Sequence, residues 1–212
     1  MTFDLARIQA RLAAASHSAP DAPPLGQAGD LSAAERSAVH ARLGRAIRPA
    51  GVLILLVERQ QGLHVVLTQR TAHLHDHAGQ ISFPGGRQDA GDRDIIATAL
   101  REAHEEIGTD PARIEVMGTL PHYVTVTAYD VTPVVAVSAP QPYRVDPFEV
   151  ADVFEVPLDW VIEGSHWRRD TFLRDGQRRE YWAVPWRERY IWGATAGMLR
   201  TFRDVLLTPA TP

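Results

Sequence analysis

The sequence of 212 residues contains no cysteine, which excludes disulfide bonds, catalytic thiolates and zinc sites with cysteine ligands. Lysine is absent as well, and all 22 basic residues are arginine. Codon bias in the source genome explains such an excess better than phosphate binding does, so the count alone indicates no phosphate site. No apolar run approaches the roughly 20 residues of a membrane-spanning helix, and residues 1–10 lack the layout of a signal peptide, so we expect a cytoplasmic protein without a membrane partner.

The rest of the composition is typical of a globular domain. Apolar residues make up 45% of the chain and charged residues 23%, which is enough apolar material to bury a core. The net charge of −4 provides no overall positive field to attract nucleic acid. The composition therefore gives no reason to expect nucleic acid as a partner.

The chain divides into an expected N-terminal helical extension, residues 1–48, and one domain over residues 49–212. Helical spacing of apolar residues predicts helices over Phe3–Ala14 and Leu31–Leu43. Between them, Ser16–Gly29 is rich in proline and alanine, as linkers are. The extension either packs on the domain or contributes to a homodimer interface, and the pattern favours neither.

Strands and helices are interspersed over the domain. We expect Pro49 to break the chain before a β-hairpin formed by Val52–Glu58 and Leu63–Thr68. The other predicted strands are Ile81–Phe83, Ile114–Leu120, Val124–Thr127, Val131–Val137, Thr171–Leu173 and Tyr181–Val184, and the other predicted helices are Ile95–Ile107, Asp146–Phe154 (a helix or a turn) and Ile191–Leu207. Because the strands and helices follow no strict βαβ repeat, the fold class expected is α/β, a sandwich with a mixed sheet.

The helix predicted over Ile95–Ile107 separates acidic from apolar residues. At about 100° per residue, Glu102, Glu105 and Glu106 fall on one face, and the apolar residues fall on another. Like charges at this spacing destabilise a helix by roughly 0.2–0.5 kcal/mol, and a hard cation such as Mg²⁺ offsets that repulsion. The alternative is a solvated acidic face. Arg101 lies one turn from Glu105 and is placed to orient it by a charge-assisted hydrogen bond.

The segment before this helix adds a glycine loop. Phe83-Pro84-Gly85-Gly86 ends a predicted strand, and its glycines let the backbone approach a ligand closely. Asp89 and Asp92 lie between the loop and the helix. A glycine loop, acidic residues and a carboxylate helix together predict a site for a diphosphate and a divalent metal.

These residues resemble the signature of the Nudix hydrolases, which is a glycine, five residues, a glutamate, seven residues and then Arg-Glu-aliphatic-x-Glu-Glu-x-Gly-aliphatic. Here Gly86 is followed by five residues, Asp92, eight residues and then Arg101 to Gly108. The departures are Asp92 in place of glutamate, one additional residue before Arg101, the small Ala103, and Thr109 at the last position.

One branch of the family is a closer match. The extended signature of the coenzyme A diphosphatases is similar to Leu67-Thr68-Gln69-Arg70, Leu74, His77, Gly79-Gln80 and Phe83-Pro84-Gly85-Gly86, followed by two aspartates and residues 97–106. Residues 191–196 also resemble this branch. The resemblance is contiguous over residues 67–108 and weaker from there to the last helix.

The resemblance implies a Nudix-type α/β/α sandwich and a metal-assisted attack of water on the diphosphate of coenzyme A or a derivative. The products would be 3′,5′-ADP and 4′-phosphopantetheine, or its acyl form. Glu102, Glu105, Glu106 and the carbonyl of Gly86 would bind Mg²⁺ or Mn²⁺, and Arg101 would fix a glutamate. The number of metal ions is left open.

The general base and the substrate contacts are less specified. The base is either Glu105 or Glu106 in the signature, or Glu149 outside it. Arg70, Gln80 and Gly85 are the residues that we expect to contact substrate, and bracing of the loop is the alternative role for Arg70 and Gln80.

Other interpretations concern the substrate and the activity. ADP-ribose, a dinucleotide or a nucleoside triphosphate are alternative substrates, because specificity in this family resides in loops outside the signature. A non-catalytic nucleotide-binding module is a further alternative, but such proteins usually lose the signature glutamates, and all three are present here.

Two aromatic groups have alternative functions. His73, His75 and His77 alternate and would share one face of a strand as zinc ligands, although their polar surroundings predict a loop. Tryptophan side chains can stack on adenine, but we expect core packing, above all for Trp192 beside the last helix. The tryptophans are Trp160, Trp167, Trp182, Trp186 and Trp192.

Overall fold

The computed structural model of the protein describes residues 3–16, 47–73, 79–125, 127–174 and 177–208. Its helices are α1 (Leu5–Ser16), α2 (Ile95–Ile107), α3 (Leu158–Ile162) and α4 (Gly193–Leu207). Its strands are β1 (Arg48–Arg59), β2 (Gly62–Arg70), β3 (Ile81–Ser82), β4 (Gly85–Arg87), β5 (Ile114–Thr119), β6 (Tyr123–Val124), β7 (Tyr129–Ser138), β8 (Val150–Pro157), β9 (Arg168–Arg174), β10 (Gln177–Trp186) and β11 (Arg189–Trp192). Within these ranges, no helix is long and apolar enough to cross a membrane.

An eight-stranded mixed sheet is built around β1, which lies between β2 and β7. Strand β1 runs antiparallel to β2 and β4 and parallel to β7. The remaining pairs are antiparallel: β3 and β8 on β2, and β5 and β6 on β7. The predicted hairpin of β1 and β2 is confirmed, with Arg59 opposite Gly62.

Successive residues of β1 enter two different apolar cores, because side chains in a strand point alternately to its two faces. Leu53 and Leu55 pack with α2 on one face of the sheet. Ile54 and Leu56 pack on the other face, in a larger core that also receives α1, α3 and α4. The fold is therefore an α/β/α sandwich with a mixed sheet, as predicted.

The first helix packs on the domain. Ile8 and Leu12 of α1 are fully buried in the larger core, and a Cβ added at Gly118 of β5 would lie 3.4 Å from the Cβ of Leu12. The predicted linker at Ser16–Gly29 and helix at Leu31–Leu43 lie, apart from Ser16, outside the described residues. The boundary between residues 48 and 49 and a homodimer stay predictions.

Several sequence predictions of local structure differ from the structure. In the segment Asp146–Phe154, predicted as a helix or a turn, residues 147–149 do form a turn, but Val150–Pro157 form strand β8, because the open edge of β2 offers a partner to a valine-rich segment. Pro49 lies inside β1, where its carbonyl accepts a hydrogen bond from the N–H of Gln88 at 3.0 Å. The last helix begins at Gly193, whose φ of +63° separates it from β11.

A smaller three-stranded sheet, in the order β11-β10-β9, completes the fold. The predicted strands Thr171–Leu173 and Tyr181–Val184 lie within β9 and β10, which pair antiparallel, and residues 175–176 between these strands lie outside the described residues. Tyr190 and Trp192 of β11 pair with Pro185 and Ala183 of β10. Strand β11 lies beside β3, so the small sheet borders the end of β2.

Candidate active site

Helix α2 has the bounds that the sequence predicts, and both of its ends are capped. Asp94 accepts a hydrogen bond from the N–H of Ala97 at 2.8 Å, and Gly108 ends the helix with a φ of +68°. Ala99, Ala103 and other apolar residues of the helix are buried against the sheet. The acidic face consequently turns toward the loop between β3 and the helix.

Two glycines allow this face to lie directly against the loop backbone. A Cβ at Gly85, whose φ is +154°, would lie 2.4 Å from the carbonyl oxygen of Gly51, so only glycine fits there. Its N–H donates to Oε2 of Glu106 at 3.2 Å. A Cβ at Gly86 would lie 2.5 Å from Oε2 of Glu102. The backbone of the glycine loop therefore lies directly against the carboxylates of Glu102 and Glu106.

Glu106 is the buried member of the acidic face, with 5% of its surface exposed. Burial raises the pKa of its carboxyl to about 8; the Gly85 N–H and Arg70 lower the pKa, and Glu102 and Glu149 raise it. Arg70 is the nearest cation recorded for it, with Nη1 4.0 Å from Oε1. A negative charge at this position is therefore only partly compensated by the protein.

Glu102 and Glu149 belong to the same electrostatic cluster. Glu102 is half-buried, and its pKa is raised by burial and by the negative charges of Glu105 and Glu149, against the attraction of Arg101. The backbone of Glu149 is fixed on β2 because its carbonyl accepts a hydrogen bond from the N–H of Thr71 at 3.0 Å. Glu149, the candidate base outside the Nudix signature, thus lies near Glu102 and Glu106 of the signature.

A register shift explains how Glu149 reaches this position. In the pairing of β2 with β8, Gln69 lies opposite Asp152, but Arg70 lies opposite Val150. Bulges of this kind bend a strand and redirect its side chains. Arg70 and Glu149 consequently both lie near Glu106, a relationship that no local sequence pattern predicts.

Arg101 connects the loop with the acidic face. Its Nη1 lies 2.9 Å from both Oε1 of Glu102 and Oε2 of Glu105, so the predicted contact with Glu105 is present. The stronger partner is Asp92, bound through Nε at 2.8 Å and Nη2 at 2.9 Å. Nη2 also donates to the carbonyl of Arg87 at 3.3 Å. One guanidinium therefore fixes both the loop and the helix.

Asp92 as the main partner of Arg101 was missed by the sequence analysis. The hydroxyl of Thr98 and the backbone N–H of Asp89 also donate to it, each at 2.9 Å. The Arg101 guanidinium, with these donors, holds the pKa of the Asp92 carboxyl well below its usual range. The only signal in the sequence was that Asp92 stands where the signature has a glutamate, with one additional residue between it and Arg101.

The residues present fit a divalent cation in their chemistry. Oxygen ligands are those that Mg²⁺ and Mn²⁺ prefer, and burial raises the pKa of the Glu106 carboxyl to about 8, a cost to its negative charge that a bound cation would offset. Within the described ranges, no three His, Asp or Glu side chains are already gathered as a metal site. Two of the predicted ligands, Glu102 and Glu105, are instead bound to Arg101. Glu105 is exposed, so its role as a ligand stays a prediction.

The predicted substrate residues lie beside this cluster. Arg70 ends β2, and its Nε is buried without a hydrogen-bond partner among the described residues. Its backbone N–H donates to the carbonyl of Gln80 at 2.9 Å, so the backbone of Gln80 supports Arg70. Gly85 contacts Glu106 rather than open space. Substrate contacts of the three residues stay predictions.

Of the three histidines considered as zinc ligands, only His73 lies in the part of the chain that the structure describes. His73 is exposed and its ring packs on Phe148, with centroids 5.1 Å apart. His75 and His77 lie outside the described residues. The zinc site thus stays an untested alternative.

Four tryptophans pack as expected, and one does not. Trp160, Trp167, Trp182 and Trp186 are partly buried against the larger core. Trp192 is 37% exposed, so the prediction that it packs in the core is wrong. Because residue 192 belongs to β11 and not to the last helix, strand alternation buries Ile191 and turns Trp192 outward.

Comparisons with known proteins agree with this geometry. The family model of the NUDIX domain matches residues 47–175. NudL, described as an uncharacterised Nudix hydrolase, is 46% identical over 156 residues, which are 72% of this chain and 80% of the relative, both in Escherichia coli O1:K1 and in Shigella boydii serotype 18. The solved structure of RenU, a Nudix hydrolase from M. smegmatis, matches with a TM-score of 0.53 and 20% identity over 76% of this chain and 86% of RenU, a likeness of fold.

Proposed function

This chain belongs to the Nudix family of hydrolases and is a pyrophosphohydrolase, and we propose that its substrate is coenzyme A or a coenzyme A derivative. The observation that carries the proposal is the position of Arg70. This arginine belongs to the segment similar to the coenzyme A diphosphatases, outside the Nudix signature, and its Nη1 lies 4.0 Å from Oε1 of Glu106. A guanidinium at that position is suited to a phosphate oxygen of a substrate bound at the carboxylates.

In the proposed reaction, a water oxygen attacks one phosphorus of the diphosphate, and the bond from that phosphorus to the bridging oxygen breaks. The products are 3′,5′-ADP and 4′-phosphopantetheine, or its acyl form. Glu102, Glu106 and the carbonyl of Gly86 would hold Mg²⁺ or Mn²⁺, which supplies charge neutralisation at the phosphates and a more acidic water. Arg101 keeps Glu102 oriented, and Arg70 binds phosphate oxygen.

We assign the general base to Glu149. Glu105 is exposed, and its Oε2 already accepts a hydrogen bond from Nη1 of Arg101 at 2.9 Å. Glu106 accepts from the Gly85 N–H and is the best-buried candidate ligand, and a metal ligand is a weakened base. Glu149 is half-buried and near both Glu102 and Glu106, and no arginine of the described residues is hydrogen-bonded to its carboxylate.

The substrate is tested with a panel. Purified protein with Mg²⁺ is given coenzyme A, ADP-ribose, a diadenosine polyphosphate and a nucleoside triphosphate, and the products are identified by mass. We expect coenzyme A to have the highest kcat/KM, and hydrolysis in ¹⁸O-labelled water to place one ¹⁸O on the phosphorus attacked. Much faster cleavage of ADP-ribose would reject the coenzyme A branch while leaving the Nudix activity intact.

The base is tested by Glu149→Gln with Glu105→Gln as the matched control. We expect the first variant to lower kcat by about 10²- to 10⁴-fold with little change in KM. Glu105→Gln should lower kcat far less, because its carboxylate is not the proton acceptor. The reverse result would move the base into the Nudix signature.

A further inference from the structure

A cavity of about 390 Å³ lies between the end of the main sheet and the small sheet. One side is lined by Gln69, Gly79 and Ile81, and the other by Arg189, Tyr190 and Trp192 of β11. We call it the Trp192 cavity. Its volume falls in the range of about 300–1,000 Å³ that is typical of small-molecule sites.

One wall of the Trp192 cavity is aromatic and held in place. Tyr190 and Trp192 are two residues apart on β11 and so share a face of the strand, with 39% and 37% of their surfaces exposed. The edge of Tyr181 packs on Trp192, with ring centroids 5.2 Å apart. The Tyr190 hydroxyl is hydrogen-bonded to Asp170 and Tyr181. Rings fixed in this way lose little entropy when a planar ligand stacks on them.

The charges of the cavity suit a neutral ring better than a phosphate. Arg189 is the only cation among its described lining residues, and its guanidinium is hydrogen-bonded to Gln69 and Asp152 and lies over the ring of Phe154. Glu188 lies at the rim with 77% of its side chain exposed, and its Oε1 is 3.9 Å from Nε of Arg189, so the two charges of the lining are paired with each other. A carboxylate at the rim repels phosphate and accepts a hydrogen bond from an exocyclic amino group.

The cavity is connected with the diphosphate site through consecutive residues. Gln69 of the cavity precedes Arg70, whose Nη1 lies 4.0 Å from Oε1 of Glu106. Gly79 of the cavity precedes Gln80, whose carbonyl accepts the N–H of Arg70 at 2.9 Å. Adjacent residues of a strand point to opposite faces, so a molecule bound at both sites would have to pass the end of β2.

We propose that the Trp192 cavity binds the planar base of the nucleotide substrate, which stacks on Trp192 while its amino group faces Glu188. The proposal rests on the proposed function in one respect, namely that the substrate is a nucleotide diphosphate. It assigns the specificity for the nucleotide end of the substrate to β11, which lies outside the Nudix signature and outside the matched residues 47–175.

The test uses tryptophan fluorescence and steady-state kinetics on the full chain. Wild type and Trp192→Phe are titrated with adenosine 3′,5′-bisphosphate, which carries a base, and with 4′-phosphopantetheine, which does not. We expect the bisphosphate to quench part of the wild-type emission and none of the Trp192→Phe emission, and phosphopantetheine to quench neither. Trp186→Phe is the control, because Trp186 packs on Trp160 and should leave the quenching unchanged.

In kinetics, Trp192→Ala should raise KM by about 5- to 100-fold and change kcat by less than about threefold. Trp192→Phe keeps an aromatic ring and should restore most of the lost affinity. Unchanged KM in Trp192→Ala, equal quenching of Trp192→Phe by the bisphosphate, or quenching by phosphopantetheine would each overturn the proposal.

The outcomes separate this proposal from the proposed function. If coenzyme A is not hydrolysed while adenosine 3′,5′-bisphosphate still quenches Trp192, the substrate assignment fails and the base site stands. If coenzyme A is hydrolysed with the same KM by wild type and Trp192→Ala, the substrate assignment stands and the base site fails.

Discussion

Arg101 binds Asp92 through two hydrogen bonds, from Nε to Oδ1 at 2.8 Å and from Nη2 to Oδ2 at 2.9 Å. In the sequence, aspartate in place of glutamate and the additional residue before Arg101 are two separate departures from the Nudix signature. In the structure the two departures compensate each other. The side chain of aspartate is shorter than that of glutamate, but the loop is one residue longer, so Asp92 still reaches Arg101. Arg101 in turn contacts Glu102, so the loop and the acidic face are coupled.

Asp92→Asn should lower activity without removing a metal ligand. The substitution removes the charge that Arg101 binds, and partners of this kind typically contribute about 10- to 100-fold to metal affinity or activity. We expect losses of that size in kcat/KM and in the Mg²⁺ dependence of the rate. Asp89→Asn is the matched control, because the Asp89 side chain is 58% exposed and lies 3.9 Å from Arg101. Equal losses in both variants would contradict the role given to Asp92.

Gly86→Ala should weaken the site through a steric effect. The new Cβ would lie 2.5 Å from Oε2 of Glu102, so that carboxylate must move. We expect the Mg²⁺ concentration for half-maximal rate to rise by about tenfold or more, because a ligand displaced by roughly 1 Å is costly to catalysis. Gly91→Ala serves as the comparison, since a Cβ there meets nothing within 4 Å. A Gly86→Ala protein with unaltered Mg²⁺ dependence would mean that Glu102 is not a ligand.

The buried carboxyl of Glu106 makes stability depend on pH when divalent metal is removed. Its pKa rises from the ordinary 4.5 to about 8 on folding, so the folded state binds more protons between those values. The associated stability is fully present below pH 4.5 and is lost as the pH rises through about 8. In chelator, the free energy of unfolding should therefore fall from pH 5 to pH 8, with a slope of at most about 1.4 kcal/mol per pH unit from this group.

The contribution of Glu106 is isolated by comparing two variants with wild type in urea unfolding at pH 5 and pH 8. Glu106→Gln should lack this component and be more stable than wild type at pH 8, while abolishing turnover. Glu105→Gln, at an exposed position, should follow wild type in stability. If Glu106→Gln retained activity within a few fold, Glu106 would have no part in holding the metal.

Removal of divalent metal should stop turnover and leave the fold intact. The two apolar cores on the faces of the sheet consist of buried side chains of the protein itself, so folding needs no ion among the described elements. We expect unchanged circular dichroism in chelator, no detectable hydrolysis, and recovery on addition of Mg²⁺ or Mn²⁺. Cooperative unfolding on addition of chelator would instead indicate a structural metal.

Sequence patterns predicted correctly the elements that are stabilised by interactions between residues close together in the chain. Helix α2 has both its caps and its apolar stripe in one continuous segment, so its bounds agree with the prediction. The hairpin of β1 and β2 likewise joins neighbours in the chain. Strand β8 was missed because its character depends on pairing with β2, about 80 residues earlier, and no local pattern reports a partner.

The site was predictable in its residues and not in its arrangement. The signature placed Glu102 and Glu106 on one face, but the difference in their burial comes from the contact of α2 with the glycine loop. Glu149 approaches them only because of the register shift between β2 and β8. Trp192 was misplaced because a boundary between strand and helix at Gly193 reverses which residues face outward.

The alternation of β1 between two cores has a consequence for insertions and deletions. A single residue gained or lost within Arg48–Arg59 would exchange the faces of Leu53 and Ile54 and move Gly51 away from α2, where a Cβ at that position would lie 2.6 Å from the carbonyl oxygen of Ile95. Helix α2 would then lose its apolar contacts with Leu53 and its close approach to the sheet at Gly51. Differences in length among relatives should therefore fall in the connections between elements, while β1 keeps its residue count.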